Sequence, residues 1–322
     1  MNRRYASVEP APAPTSFLLD NRWPEYESML SANRRPEDQV LAPGLWRGGP
    51  ARYAWCGEIQ RPAVFATARR HFDMRRVARA PGNIRQEVYL QNDRVIARAL
   101  ASAIDYRCGH LIIAQTWLPW LEETGVLGGR SFDVMMSRYP LGEIHRMLDA
   151  AAAEMPQSMT IRDFRAPAEL VDAETRLLER ARRIITPHHG IAELFGERAM
   201  RLSWHRRPPI QPSGGKRIAF LGPTIGRQRP DIVRKLCTNL QEPLIVFGDL
   251  LEQPWWEGIA IERRAYGPRW LDQVGSILHP AVITNEPRRL LEALAAHVKV
   301  YATKSCGLAA EDYLPIDEFK AA

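Results

Sequence analysis

The chain has 322 residues, 45% hydrophobic and 25% charged, with a formal net charge of +7. That length suits two α/β domains at roughly 100–200 residues each, and no apolar run approaches the ~20 residues needed to cross a bilayer. Four cysteines (Cys56, Cys108, Cys237 and Cys306) show neither a CxxC pair nor metal-ligand spacing, which reads as reduced cytosolic thiols. The positive excess is mostly arginine and suits an anionic partner, but no zinc-finger spacing, RRM motif or basic low-complexity tail points to nucleic acid.

Residues 1–15 contain no apolar signal core, and their Pro/Ala alternation reads as a disordered arm. Ser16–Asp20 and Gln39–Leu41 read as short strands. After the second, Gly48-Gly49, flanked by Arg47 and Arg52, is either a tight turn or a backbone anion cradle. Ala63–Phe65 and Glu87–Leu90 read as further strands. Between them, Arg69–Arg79 is a basic stretch, either a solvated helix face or a surface for an anionic acceptor or membrane. Asp93–Tyr106 is expected to be helical, burying Val95, Ile96, Ala99 and Ile104.

His110–Ala114 is a nearly uninterrupted apolar run, as in a central parallel strand. It ends in Gln115 and Thr116, while His110 lies at the opposite end and reads as structural. Phe132–Ser137 is the next strand, and its following loop carries Arg138, placed to meet a phosphate or carboxylate or to pair with a surface acid. Leu141 opens a helix with Ile144, Met147 and Leu148 on one face. Pro156–Pro167 is a polar interruption, Ala173–Arg183 a helix and Ile184–Thr186 a strand, with another helix starting near His188. Two adjacent histidines, His188 and His189, rarely chelate one ion and read as structural. Ser203–Gly215, rich in proline, is the clearest break. It divides a first domain (16–205) from a second (216–322), with 206–215 as linker.

The second half restarts with a strand over Lys216–Gly222, a Gly-containing loop and a helix from Pro230 to Leu240. Gly226, Arg227 and Arg229 at that helix N-terminus make a diphosphate cradle or a solvent-facing arginine pair. Leu244–Phe247 and Ile259–Glu262 are expected strands. Ser276–His279, Arg288–Ala296 and Val298–Ala302 read as strand, helix and strand, a βαβ unit and hence a parallel sheet. The loops Pro280–Pro287 and Thr303–Gly307 leave the carboxyl ends of its strands, where open parallel sheets bind ligands.

His279-Pro280, followed by Leu290-Leu291-Glu292-Ala293-Leu294-Ala295-Ala296 and Val298–Thr303, resembles the donor-binding region of GT-B glycosyltransferases, specifically the family-4 retaining group. Ile184-Ile185-Thr186-Pro187 and the loop Gly222–Arg229 are similar to two further segments of that group. The resemblance implies an α/β, GT-B-like fold: two Rossmann-like domains with parallel sheets facing each other across a cleft. It implies transfer of a sugar, with retention, from a nucleotide-sugar to an acceptor such as a cell-envelope glycan, lipid or secondary metabolite. Glu292 would hold the ribose; Glu286, Thr284 and Asn285 would meet the sugar. Arg227, Arg229, Gly226 and Gly49 would hold the diphosphate, with Arg138, Thr303 and Ser305 elsewhere in the cleft.

Five positions depart from the pattern, Gln115 and Thr116 standing where such enzymes often carry a His–Asp pair. Thr284 stands where the group carries its first Glu; Pro223 and Gln228 stand where it carries an Arg and a Lys. The alternative is therefore an inactive relative serving as a binding or scaffold subunit. No Asp-x-Asp motif is present, so neither metal nor cofactor is expected, and no catalytic base is identifiable. The expected partners are an anionic or lipid-linked acceptor, the inner membrane face as a peripheral contact, and further copies of the chain, in a cytoplasmic setting without nucleic acid. Only a short tail follows Leu308, from which a mobile or oligomer-supported second domain is expected.

Overall fold

The computed structural model describes residues 13–45, 51–162, 165–208, 214–252 and 254–320. Residues 15–201 form β1 (Thr15–Leu18), α1 (Pro24–Asn33), β2 (Gln39–Leu41), α2 (Val64–Arg76), α3 (Gly82–Ala101), β3 (His110–Ala114), α4 (Leu118–Glu122), β4 (Ser131–Met135), α5 (Leu141–Glu154), α6 (Met159–Arg162), α7 (Ala168–Arg180), β5 (Ile184–Thr186), α8 (His189–Phe195) and β6 (Ala199–Arg201). Residues 217–315 form β7 (Arg217–Leu221), α9 (Pro230–Leu236), β8 (Leu244–Phe247), β9 (Ile261–Arg264), β10 (Val274–His279), α10 (Arg288–Ala295), β11 (Lys299–Ala302) and β12 (Leu314–Pro315).

The strands make two six-stranded sheets, in the orders β2-β1-β3-β4-β5-β6 and β12-β11-β10-β7-β8-β9. Every pairing within them is parallel. Numbered from its own first strand, the second sheet reads 3-2-1-4-5-6, the doubly wound dinucleotide order; the first has the flavodoxin-like order extended by one strand. This is the α/β, GT-B-like architecture that the resemblance implies. The topology reverses between β1 and β3 in one sheet and between β7 and β10 in the other, and ligands bind outside the strand carboxyl ends at such points. The central strands explain the apolar runs: Leu111, Ile113, Val134, Ile245 and Val246 are fully buried, because helices cover both faces.

Several sequence expectations are corrected. Ala63–Phe65 is not a strand but the start of α2, and Glu87–Leu90 lies inside α3. The β-prone Val88-Tyr89-Leu90 triplet is overridden by the helix around it, which buries Asn92, Asp93, Ile96, Ala97 and Leu100 at helical spacing. Val95 points outward, 38% exposed. Helix α9 stops at Leu236 rather than Leu240, and β9 begins two residues later than expected, at Ile261. Residues 1–12 and the Gly48-Gly49 turn lie outside the described residues, and Thr15 already belongs to β1.

The segment 156–167 is more than an interruption. Its short helix α6 reaches the second domain, and Ala151, Met155 and Ile161 join Phe220, Val233 and Leu278 in one hydrophobic cluster. The tail after Leu308 returns to the second sheet: β12 pairs with β11, and Phe319 packs edge-on against Tyr301 at 5.1 Å.

Candidate functional site

The first sheet places Asp20 just beyond β1 and Thr116 just beyond β3, on either side of its reversal point. Thr116 Oγ1 donates to Asp20 Oδ2 at 2.7 Å. Trp55 Nε1 and Trp117 Nε1 donate to the backbone carbonyls of Asp20 and Leu19, at 2.7 and 3.0 Å, and fix that loop. Behind it, Arg70 from α2 is fully buried, its guanidinium 4.0 Å over the Tyr89 ring. Its Nη1 lies 2.9 Å from Asp93 Oδ1 of α3, off hydrogen-bonding angle.

Asp20 Oδ1, Asp93 Oδ1 and all three Arg70 nitrogens have no hydrogen-bond partner among the described residues. Burial raises both carboxyls above their ordinary range, against the opposing pull of Arg70. Two carboxylates share one guanidinium in a dry setting, which favours keeping one of them protonated.

These groups adjoin a cavity of about 400 Å³ lined from the first domain by Asp20, Asn21, Trp23, Tyr89, Asp93, Thr116, Trp120 and Arg138 among others, and from the second by Asn285 and Glu286. Arg138 is held at its wall by the buried Glu174, 2.7 Å away. Unpaired carboxylate oxygens beside an aromatic wall suit a ligand carrying hydroxyl groups, since an unmatched buried acceptor costs about 1–3 kcal/mol.

Across the mouth, the N-terminus of α10 meets α1. Arg288 donates to both oxygens of Glu25, at 2.6 and 2.7 Å, and to Glu286 at 2.8 Å. Its guanidinium sits 5.7 and 5.3 Å from the Trp23 and Trp204 ring centroids. The His205 N–H also donates to Glu25, at 2.6 Å. Burial alone would raise the Glu25 carboxyl, yet the bonds from Arg288 and His205 hold it below its ordinary value.

The structure divides the sequence-predicted residues into four groups. Arg138, Asn285 and Glu286 line the cavity together. Glu292 stands elsewhere, accepting from Trp270 Nε1 (3.1 Å) and Arg289 (2.8 Å) and paired with Arg207 (3.2 Å). Arg289 lies 4.5 Å over the Tyr266 ring. Gly226, Arg227 and Arg229 meet the crossing segment: the Gly226 N–H donates to Glu252 (2.6 Å), Arg227 Nε to the Thr160 carbonyl (2.9 Å), and Arg229 pairs with Asp231 (2.9 Å) and Glu154 (2.8 Å). A Cβ on Gly226 would fall 2.0 Å from Ser158 Oγ, so the loop before α9 packs its backbone against the Ser158 side chain just ahead of α6.

Thr284, Thr303 and Ser305 form the fourth group. Thr303 and Ser305 both donate to the Ala281 carbonyl, at 2.9 and 3.1 Å, and the Thr284 carbonyl lies 3.0 Å from His188 Nε2. His188 caps α8, its Nδ1 accepting from the Ile191 N–H at 3.2 Å, which leaves Nε2 as the donor to Thr284. Burial lowers its pKa to about 4. The histidine is structural, as expected, and so is His110, which lies 3.4 Å from Asp133. Gly49 lies outside the described residues.

Asp20, Arg70, Asp93 and the Glu25–Arg288 pair were not among the sequence-predicted site residues. Asp20 carried a signal, an acid ending an apolar strand at its carboxyl end. Asp93 and Arg70 sit mid-helix among other charged residues and carried none. Among the described residues no group of three or more His, Cys, Asp or Glu is arranged to hold a metal, and no helix is long and apolar enough to cross a membrane.

No known family profile matches the chain. No curated protein matches it in sequence. Solved structures similar to it include the lipopolysaccharide outer core galactosyltransferase WaaB in its apo form, at 11% identity and a TM-score of 0.49, covering 94% of this chain and 83% of that one. Another is Anabaena HepE in complex with UDP and glucose (11% identity, TM-score 0.48, 92% and 82% covered). A third is CalG4, the calicheamicin glycosyltransferase (14%, 0.45, 94% and 81%).

Proposed function

We propose that the chain transfers a sugar from a nucleotide-sugar to a hydroxyl-bearing acceptor seated in the cavity of the first domain. The observation that carries this is Asp20: a buried carboxylate with raised pKa and an unpaired oxygen, at a sheet reversal point, facing donor-side residues Asn285 and Glu286 across one cavity. In the transfer, Asp20 takes the proton of the acceptor hydroxyl as its oxygen bonds to the anomeric carbon. The bond from that carbon to the diphosphate oxygen breaks, and its electron pair leaves with the diphosphate. A base on the acceptor side favours inversion over the retention suggested by the sequence resemblance. Asp93 and Arg70 set the protonation of Asp20.

The Glu25 carboxylate, bound bidentately by Arg288 at the N-terminus of α10, marks an anion position. A donor diphosphate exchanging for Glu25 would gain the same guanidinium and the helix dipole. Glu292 with Trp270 and Tyr266 then offers a carboxylate and aromatic faces for the nucleoside. The test is calorimetric titration with UDP, GDP, ADP and their sugar conjugates, followed by acceptor screening with the conjugate that binds. Saturable binding of one nucleotide with sugar release or transfer, abolished in Asp20→Asn, supports the reading.

A second reading is a scaffold or binding subunit of the same fold. The occupied cradle favours it: the Gly226 N–H, Arg227 Nε and Arg229 already hold partners within the chain. Absence of binding to every nucleotide tested would make it the leading one.

A further inference from the structure

The cavity of the first domain is lined in two parts. One is polar. Asp20 and Asp93 are 8% and 3% exposed, and Oδ1 of each, with Oδ1 of Asn21, has no hydrogen-bond partner among the described residues. Asp93 Oδ1 keeps only its ion-pair contact with Arg70. Two donors beside them are already engaged: Thr116 Oγ1 by Asp20, and the Arg138 guanidinium by Glu174 and the Tyr139 carbonyl. That part therefore offers acceptors to a ligand that brings donors. The other part is apolar. Leu141, Ala166 and Leu170 form a small hydrophobic cluster of their own, with Leu90 and Trp120 packed against it. All five line the cavity. The two parts adjoin on α3: Leu90 and Asp93 are three residues apart and share a face, with Cβ atoms about 5–6 Å from each other.

We infer that the acceptor is a small amphipathic molecule: a ring bearing several hydroxyl groups, with a short apolar substituent that enters the end built by Leu141, Ala166 and Leu170. The inference rests on reading the cavity as the acceptor site, and it goes beyond that reading by naming the acceptor's class. The hydroxyls match the unpartnered oxygens of Asp20, Asn21 and Asp93, and the substituent covers the apolar cluster. A free sugar would leave that cluster facing water and forgo its burial. A simple phenol or alcohol would leave buried acceptors unmatched, at a cost of about tenfold or more in affinity for each. The cavity volume of about 400 Å³ lies towards the small end of ligand pockets, which run from about 300 to 1,000 Å³. It holds a ring with a short group and has no room for a long chain.

The experiment is calorimetric titration of the full chain, without nucleotide, with the methyl and phenyl glycosides of glucose, galactose and mannose, the three parent sugars, and phenol. At least one phenyl glycoside is expected to bind saturably, about tenfold or more tighter than its methyl counterpart, its parent sugar or phenol. Leu90→Ser is expected to reduce the preference for phenyl over methyl, and Asn21→Leu to weaken both glycosides alike by about tenfold. Thermal melts check that both variants fold, and the ligand series on the parent decides the matter without them. No saturable binding of any phenyl glycoside overturns the inference. Equal affinity for phenyl and methyl glycosides, or for phenyl glycoside and phenol, overturns it too, as does a phenyl preference unchanged in a folded Leu90→Ser. Because no nucleotide is present, these outcomes are separate from donor binding. Nucleotide binding with no preference among the glycosides overturns the acceptor class alone. The expected preference in a chain that binds no nucleotide overturns sugar transfer and leaves a binding site for such glycosides.

Discussion

Glu25 on the first helix and Arg288 on the last are joined by two hydrogen bonds of 2.6 and 2.7 Å across the interdomain crevice. The Glu25 side chain is fully buried, so removing its partner leaves an uncompensated charge. Arg288→Ala is expected to destabilise the chain by about 3–5 kcal/mol, and the double variant with Glu25→Gln to recover part of that loss. Thermal unfolding of both variants and the parent measures it. The pH sign follows from the direction of the shift. Glu25 is held below its unfolded value, so its contribution is present above the ordinary carboxylate range and is lost as pH falls through its folded pKa. Glu25→Gln should flatten the acid side of the stability profile.

Asp20 is expected to be required for transfer and not for folding. Asp20→Asn keeps the size and still accepts from Thr116, but it takes no proton. A loss of about 10²–10⁴-fold in kcat is expected with little change in nucleotide affinity. Because the Asp20 carboxyl is raised by burial, the acid limb of kcat/KM should fall away at a pH above the ordinary carboxylate range. An acid limb at an unperturbed carboxylate pKa would remove Asp20 as the base.

How much of this was legible beforehand differs by element. The strands of both sheets that run through buried cores, such as Leu111–Ile113 and Leu244–Phe247, announced themselves because burial on two faces demands unbroken apolar runs. Helices α2 and α3 were misread in part because Ala63–Phe65 and Val88–Leu90 carry local β-preference that longer-range packing overrides. Arg138, Asn285 and Glu286 line one cavity because each sits in a loop at a strand's carboxyl end, a position that is legible in sequence. Arg70 is not, since one arginine in a basic run looks like its neighbours; only the fold turns it inward beneath Tyr89. The crossing of α6 depends on tertiary geometry that a Pro-bounded polar segment does not disclose.

Glu292 tests the nucleoside end of the proposal. Its carboxylate is already oriented by Trp270 and Arg289, so a ribose would find it preorganised. Glu292→Ala is expected to weaken nucleotide binding about tenfold or more, the order expected for loss of charge-assisted hydrogen bonds worth about 1.5–3 kcal/mol. Trp270 anchors the surrounding cluster through its edge-on contact with Phe247 at 5.3 Å, so it is not a clean site for substitution. Equal affinity in parent and Glu292→Ala, by calorimetry, would place the nucleoside elsewhere.

Glu252 governs the crossing segment. It accepts from the Met159 N–H (2.7 Å), Thr160 Oγ1 (2.9 Å) and the Gly226 N–H (2.6 Å), tying α6 to the Gly226–Arg229 loop. Hydrogen bonds from Gly226, Ser158, Thr160 and Met159 outweigh the burial that would raise its carboxyl, which lies below its ordinary value. Glu252→Ala leaves the Gly226 N–H with Thr160 Oγ1 alone, at 3.0 Å, and removes the acceptor of the Met159 N–H, and a loss of about 1–3 kcal/mol is expected. Local opening should exceed global unfolding, because the segment carrying Met155 and Ile161 keeps only its ties from Gly226 and Arg227 to Thr160 and from Arg229 to Glu154, while the two sheets keep all of theirs. Limited proteolysis should therefore cut within 156–167 sooner in the variant. If the segment also blocks the cradle, its loosening opens the Gly226–Arg229 loop to phosphate, and nucleoside diphosphates should bind Glu252→Ala more tightly than the parent. Faster cleavage with unchanged or weaker diphosphate affinity would mean that the cradle is a structural joint and that phosphate is met at Arg288 alone.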